Sequence, residues 1–256
     1  MTLASYLDDP AMAGFLEGKA GAVRLLVKVG YEGWVKGALA TDGAWVGVRS
    51  VAGGRVEHPL VELPDGEWAV VRRYRRGGMM RHVNHARYFL GHRAFEEVRA
   101  TEQARGAGVR VPEVLAAGEG PRRLGYEAWL ATRWIEGAIG LDGWLASVSE
   151  TERLLVLRLA GKQIGMMHRG RVTHPDLNLR NLLVAAPEGG GDPRVHLIDF
   201  DRARVSDHCA PSGSRRRDLK RLGRSARKLG FVLDPAAWRA LREGYGEEWP
   251  LDPSFG

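Results

Sequence analysis

The pattern of hydrophobic and polar positions changes near residue 137. Before that point, short apolar segments alternate with polar residues and are bounded by glycines, which is typical of β-strands. One longer segment instead spaces its apolar residues three and four apart, which indicates a helix. The predicted strands are 25–35, 43–49, 67–74, 109–119 and 126–137, and the predicted helix is 80–107.

Beyond residue 140 the pattern is mainly helical. Ser149 and Glu152 have the spacing of a capping box, and the apolar residues that follow keep to one helical face as far as His168. Two short apolar segments, 181–186 and 194–200, flank a turn rich in glycine and proline and predict a hairpin. We expect helices from about residue 212 to the end.

These elements predict an α+β fold of two lobes. A run of strands followed by a run of helices is typical of this class. Residues 1–134 are expected to form a β-rich N-terminal lobe with one central helix, and residues 135–256 an α-helical C-terminal lobe.

Composition indicates a globular protein of a reducing compartment. Of the 256 residues, 44% are hydrophobic and 27% charged, which excludes bulk disorder, and the single cysteine excludes an internal disulfide. The N-terminal segment lacks the basic start of a signal or transit peptide, and no apolar run reaches the ~18 residues that cross a bilayer. We expect a soluble protein, or one bound peripherally to a membrane.

The net charge of +7 is concentrated in two basic segments. Arginines but no acids occur between Glu67 and Glu96, and eight basic residues surround the one acid, Asp218, in 215–228. Such segments favour a polyanionic partner: a phosphate-bearing substrate, a nucleic acid or an anionic membrane. The alternative is a solvated face that binds no partner.

The chemistry is concentrated in HPDLNLRNLLV (174–184) and VHLIDFDRAR (195–204). Asp176 lies in a polar loop after a long helix, Asn181 begins an apolar strand, and Asp199 ends the next one. The predicted hairpin returns Asp199 to the side of Asn181. Oxygen ligands of this kind suit Mg²⁺, and phosphoryl transfer needs such a cation together with a carboxylate that accepts the hydroxyl proton.

The order of these residues matches the kinase-like pattern H-x-D-L-x-x-x-N followed by D-F. In that pattern, a base on a strand of the N-terminal lobe holds the phosphates of ATP and pairs with a helix glutamate. Arg72 in AVVR (69–72) takes the place of the usual lysine, and Glu97 is the expected partner, with Glu96 as the alternative. Gly53 and Gly54 stand where a phosphate-covering loop is expected, without the full G-x-G-x-x-G.

The chain resembles the lipopolysaccharide kinase family, and within it most closely the members that phosphorylate 3-deoxy-D-manno-octulosonic acid (Kdo). The resemblance covers most of residues 70–230 in the same order. It is carried by VVRRYRRGGMM (70–80), RAFEEVRATEQARGAGVRVPEVLAAG (93–118), GKQIGMMHRGRVTHPDLNLRNLLV (161–184), HLIDFDRAR (196–204) and RRDLKRLGRSARKLG (216–230). In this family, arginine at the position of Arg72 and D-F-D ending at Asp201 are expected features rather than signs of a degenerate site.

The resemblance implies ATP-dependent phosphorylation of a Kdo hydroxyl on a lipid A precursor, at the cytoplasmic face of a Gram-negative inner membrane. ATP and Mg²⁺ are the implied cofactors. The expected roles are general base for Asp176, metal ligands for Asn181 and Asp199, and ATP phosphate binding for Gly53, Gly54, Arg72 and Glu97. The acceptor or the membrane surface is expected to contact Asn178, Arg75, Arg76, Arg221 and Arg224.

Other functions remain open from the sequence. The acceptor could be a core heptose or another small molecule, or a protein, although the segment after Asp199 is short for docking a peptide. A non-catalytic kinase-like binding module is the alternative outside the enzymes, but it would not need Asp176, Asn181 and Asp199 together. No nucleic-acid partner is expected, and the sequence does not indicate an oligomeric state.

Overall fold

The computed structural model describes residues 7–39, 45, 49–53, 56–74, 93–122, 125–186 and 190–252. The chain divides into two compact units. The first comprises Met1–Arg99 and Glu113–Trp134, and the second comprises Ala100–Pro112 and Ile135–Gly256.

The first unit is built on an antiparallel sheet to which seven strands of the described residues contribute, in the order β1-β2-β6-β7-β5-β4-β3. Its elements are β1 (Phe15–Ala20), β2 (Val23–Lys28), α1 (Glu32–Ala38), β3 (Arg49–Gly53), β4 (Val56–Glu62), β5 (Trp68–Arg73), the first half of α2 (Arg93–Gly106), β6 (Val114–Arg122) and β7 (Gly125–Arg133). The second half of α2, from Ala100, belongs to the second unit. Strand β5 buries alternate residues, Ala69 and Val71. The central strands β6 and β7 are buried at successive positions, such as Ala116 and Ala117, which belong to different apolar clusters. Because successive side chains of a strand point to opposite faces, the centre of the sheet is covered on both faces.

The prediction of one strand over 25–35 is wrong in its second half. Strand β2 ends at Lys28, and α1 begins at Glu32. Tyr31, Trp34, Val35 and Ala38 pack into one apolar cluster on the sheet. Their three- and four-residue spacing is helical, so the alternation seen in the sequence was incidental. Strand β6 also starts later than predicted, at Val114.

Helix α2 packs its apolar face against the sheet. Ala94, Phe95 and Val98 are fully buried beside Leu26 and Leu130. The helix begins where the buried Glu119 accepts a hydrogen bond from the Ala94 amide at 2.7 Å, which satisfies a donor that a helix leaves without an internal partner. Residues 80–92 of the predicted helix lie outside the described residues.

The second unit contains the remaining helices around one hydrophobic core. Its further elements are β8 (Ile139–Gly140), α3 (Leu141–Ser147), α4 (Glu150–Arg169), β9 (Val172–Thr173), β10 (Leu182–Ala185), β11 (Arg194–Leu197), β12 (Arg204–Val205), α5 (Ser212–Lys228) and α6 (Pro235–Tyr245). Helix α4 starts with the complete capping box of Ser149 and Glu152. Strands β10 and β11 form the predicted hairpin, with Leu182 opposite Leu197.

Helices α4 and α6 approach each other through glycines. A Cβ atom at Gly161 or Gly165 would collide with a backbone carbonyl oxygen of α6, and one at Gly244 would collide with the Arg158 carbonyl. The backbones therefore pack in direct contact. This contact holds α4, which ends immediately before the predicted catalytic loop. No helix among the described residues has the length and apolar character needed to span a membrane.

Candidate active site

The predicted catalytic loop is ordered by its own asparagines. Asn178 caps a 3-10 turn over Leu179–Asn181, with Oδ1 accepting hydrogen bonds from the amides of Arg180 at 2.9 Å and Asn181 at 3.2 Å. Its Nδ2 donates to the Asp176 carbonyl at 2.8 Å, and Asn181 Nδ2 donates to the same carbonyl at 3.1 Å. Two side chains thus fix the backbone that carries the Asp176 carboxylate.

Asn181 is held in an orientation that suits a cation ligand. Its amide nitrogen is committed to the Asp176 carbonyl, so its carboxamide oxygen points elsewhere. The side chain is buried, and the Asn181 carbonyl accepts a hydrogen bond from the Ile198 amide at 3.0 Å. Asp199 follows directly, so the hairpin brings this carboxylate into the neighbourhood of Asn181.

Asp199 has a left-handed backbone, with φ 65° and ψ 58°. This conformation is uncommon outside glycine and clusters at functional sites. The surrounding structure holds it in place: His174 Nε2 lies 3.1 Å from the Ile198 carbonyl, and the rings of His174 and Phe200 pack with centroids 5.2 Å apart. His174 therefore braces the strand end that carries Asp199.

Helix α5 aligns three polar residues with the loop. Asp218 Oδ2, which is buried, accepts a hydrogen bond from the His174 amide at 2.7 Å. Arg221 Nη2 donates to Asp176 Oδ1 at 2.8 Å, and Ser225 Oγ accepts from the Leu179 amide at 3.4 Å. Residues 218, 221 and 225 lie on one helical face, because they are spaced three and four apart. This face follows the loop from residue 174 to residue 179.

A buried histidine completes the support beneath the loop. His168 Nε2 lies 3.2 Å from Asp218 Oδ2, and His168 Nδ1 lies 2.8 Å from the Tyr245 hydroxyl. Burial lowers the pKa of His168 below its ordinary value, although the hydrogen bond that it donates to Asp218 opposes the shift. A neutral His168 that donates through Nε2 and accepts from Tyr245 satisfies both contacts. Burial also raises the pKa of Tyr245 to about 12, so its hydroxyl stays protonated.

The predicted phosphate-binding residues lie on the first unit. Arg72 of β5 donates a hydrogen bond to the Glu97 carboxylate of α2, and the Tyr74 hydroxyl donates to the other oxygen of that carboxylate. The Arg72 guanidinium also lies over the Tyr74 ring, 5.2 Å from its centroid. Glu97 is buried, whereas Glu96 is exposed. Of the two candidate glutamates, Glu97 is therefore the one that contacts Arg72.

Comparison with known proteins identifies the family of this chain. Residues 48–245 match the lipopolysaccharide kinase (Kdo/WaaP) family. The chain belongs to this family. A 3-deoxy-D-manno-octulosonic acid kinase of Vibrio vulnificus (strain CMCP6) is 34% identical over 72% of this chain and 76% of its own length. The enzyme of the same name from Xylella fastidiosa (strain M12) is 34% identical over 80% of this chain and 83% of its own.

A solved structure supports the same fold for this lipopolysaccharide kinase family member. The structure of WaaP in complex with acyl carrier protein superimposes with a TM-score of 0.63, at 21% identity, over 87% of this chain and 88% of that one. The predictions of the family, of an α+β protein-kinase-like fold and of a kinase are therefore confirmed.

The structure brings part of the predicted set together within each unit. In the second unit, Asp176, Asn178 and Asn181 are joined by hydrogen bonds, and the backbone beside Asp199 is joined to them through Ile198. Gly53 is the last residue of β3, at the end of the β3–β4 pair. Gly54, Arg75 and Arg76 lie outside the described residues, and Arg224 is exposed on α5.

The composition and motifs of the sequence do not mark Asp218 and Ser225 of α5 as supports of the catalytic loop. Asp218 stands out only as the single acid of a basic segment. The signal that points to them is their spacing from Arg221, which places all three residues on one face of the helix. When that face is buried, an acid within a strongly basic helix needs a polar partner. Arg221, expected at the acceptor or the membrane, lies against the Asp176 carboxylate.

The donor set fits a hard cation. Among the described residues, no group of three or more histidine, cysteine or carboxylate side chains is placed to hold a metal ion. The carboxamide oxygen of Asn181 and the carboxylate of Asp199 would instead supply oxygen ligands and leave further positions for phosphate oxygens and water, as Mg²⁺ prefers.

Proposed function

We propose that this lipopolysaccharide kinase family member transfers the γ-phosphoryl group of ATP to a Kdo hydroxyl of a lipid A precursor. The observation that carries the proposal is the Asp176 carboxylate, half exposed on a loop that two asparagines and α5 hold in place. The acceptor follows from the relatives in two genera, which bear the Kdo kinase name and align over about three quarters or more of their length.

Each side chain has a role that its environment supports. Asp176 accepts the proton of the acceptor hydroxyl. Asn181 and Asp199 would hold Mg²⁺, which supplies neutralisation of charge on the phosphate oxygens when it is bound. Arg72 binds the phosphates of ATP, and Glu97 together with Tyr74 holds the guanidinium in position. Gly53, the last residue of β3, and Gly54, which follows it in the sequence, would cover the phosphates.

The basic face of α5 supports peripheral binding to an anionic membrane at the cytoplasmic face. Leu219, Leu222 and Ala226 bury one side of the helix in the core. The exposed basic side chains of α5 are Arg216, Arg217, Lys220, Arg224, Arg227 and Lys228. Near an anionic surface, each basic residue contributes about 1 kcal/mol to membrane binding.

Sedimentation should therefore show salt-sensitive binding to vesicles of acidic lipid, and the reversal of Arg224 and Arg227 to glutamate should weaken this binding. Equal binding to neutral vesicles would contradict this part of the proposal.

A panel assay with labelled ATP tests the acceptor. The acceptors are a Kdo-lipid A precursor, a heptosylated core and a generic protein substrate. We expect label only on Kdo-bearing acceptors, and no transfer by Asp176→Asn or Asp199→Ala although both variants remain folded. Label that depends on heptose would assign a different core sugar. Wild-type turnover in Asp199→Ala would remove the metal role of this residue.

A further inference from the structure

The guanidinium of Arg221 lies on the proposed general base. Its Nη2 atom is 2.8 Å from Asp176 Oδ1, with the Arg221 side chain 34% exposed and that of Asp176 44% exposed. The contact does not depend on a freely moving surface side chain. Asp218 and Ser225, on either side of Arg221 along α5, are buried and bonded to the loop, so they fix the register.

Most of the donors on Arg221 remain available. A guanidinium has five N–H groups in a planar fork that matches a carboxylate in a bidentate way. Its contact with Asp176 uses one of them, and among the described residues no other acceptor is bonded to Arg221. The neighbouring arginines are placed differently: Arg180 Nε is bonded to Asp142 at 2.9 Å, and Arg224 is exposed on α5.

The chemistry of a sugar acid gives those donors a target. An octulosonic acid has a carboxylate on the same ring as its hydroxyls. When a hydroxyl donates to Asp176, that carboxylate comes within a few ångströms of a second carboxylate, and like charges at this range repel. A cation bonded to Asp176 with donors to spare removes the repulsion and can bind the incoming anion.

We propose that Arg221 is the specificity-determining residue that recognises the carboxylate of the sugar-acid acceptor while it orients Asp176. The inference rests on the proposed Kdo kinase function and names the group of the acceptor that is read. A neutral sugar would leave the remaining N–H donors without a partner, so the site discriminates against it.

Two acceptors that differ only at the Kdo carboxyl group provide the test. One is the Kdo-lipid A precursor in detergent micelles, and the other is the same molecule with the Kdo carboxylate as a methyl ester. The lipid A phosphates are identical in both, so any difference between them reports on the carboxylate. The test variants are Arg221→Gln and Arg221→Lys. The matched control is Arg239→Gln, which removes one exposed arginine from α6.

The ratio of kcat/KM for acid and ester is the deciding quantity. We expect the wild type and Arg239→Gln to prefer the acid by at least about tenfold, Arg221→Gln to show a ratio near one, and Arg221→Lys to lie between them. The KM for ATP should not change in Arg221→Gln. A purely structural role would lower turnover with both acceptors and leave the ratio intact.

The outcomes separate the two proposals. No transfer by the wild type to the acid would refute the Kdo kinase function itself. Transfer by the wild type with an acid-to-ester ratio that Arg221→Gln leaves unchanged would overturn only the role of Arg221. In that case, turnover that Arg221→Gln lowers equally with both acceptors would assign its contact to a lipid A phosphate or to Asp176 alone.

Discussion

Asp218 offers the sharpest test of how the catalytic loop is held. Its Oδ2 atom accepts hydrogen bonds from the His174 amide at 2.7 Å and from His168 Nε2 at 3.2 Å. Asp218→Ala leaves both donors buried without a partner, which costs about 1–3 kcal/mol for each. We expect a loss of about 2–6 kcal/mol in the free energy of unfolding and, at about 2–4 °C per kcal/mol for a chain of this size, a fall in Tm of about 4–24 °C.

Activity should fall further than stability explains. The His174 amide begins the loop that carries Asp176, and a displacement of about 1 Å at reacting groups lowers rates by about a hundredfold. Measured well below Tm, Asp218→Ala should show a lower kcat with a nearly unchanged KM for ATP. Asp218→Asn keeps an acceptor oxygen and should be milder in both respects. The matched control is Asp234→Ala, which removes a helix cap from the Ala237 amide and should lower only stability, by about 1 kcal/mol. Wild-type kcat in Asp218→Ala would refute the bracing role.

Three further predictions concern phosphate binding, packing and pH. Arg72→Ala should weaken ATP binding about 10- to 100-fold in calorimetry, because a charge-assisted contact is lost, and Arg72→Lys should recover part of the affinity. An unchanged Kd for ATP in Arg72→Ala would assign phosphate binding to another residue. Gly161→Ala should destabilise by about 1–3 kcal/mol because its Cβ meets the Leu241 carbonyl, whereas Gly213→Ala, which has open space, should not; equal melting temperatures would contradict the close packing. Because burial lowers the pKa of His168, the unfolded chain takes up a proton at a higher pH than the folded chain does. The free energy of unfolding should therefore be constant, as far as His168 is concerned, above pH ~6.5 and should fall as the pH drops below that value. His168→Gln should flatten this slope in urea titrations, and an unchanged slope would assign it to other groups.

Local signals were sufficient for much of the second unit. The capping box of Ser149 and Glu152 and the 194–200 segment predicted α4 and β11 because short-range spacing determined both elements. The same spacing rules applied to Asn178 and Asn181, whose side chains both donate to the Asp176 carbonyl, two and five residues earlier in the sequence.

Signals that depend on tertiary packing were not available from the sequence. The segment around Trp34 alternates loosely between apolar and polar residues, which suggests a strand. Only the packing of its apolar side chains on the sheet shows that the hydrophobic period is that of a helix. The contact of Arg221 with Asp176 spans 45 residues, and nothing local distinguishes Arg221 from the other arginines of α5. The pairing of Arg72 with Glu97 rather than Glu96 likewise depends on which side of α2 is buried.

The left-handed backbone at Asp199 affects how an inactive form of the enzyme should be made. At a φ of 65° the Cβ of Asp199 lies close to the following carbonyl, which costs about 1–2 kcal/mol, whereas glycine adopts this conformation freely. Both Asp199→Ala and Asp199→Gly remove the carboxylate, but the first keeps this Cβ and its strain, and only the second relieves it. For trapping a bound acceptor or preparing crystals of a non-turning-over complex, Asp199→Gly is therefore the better reagent.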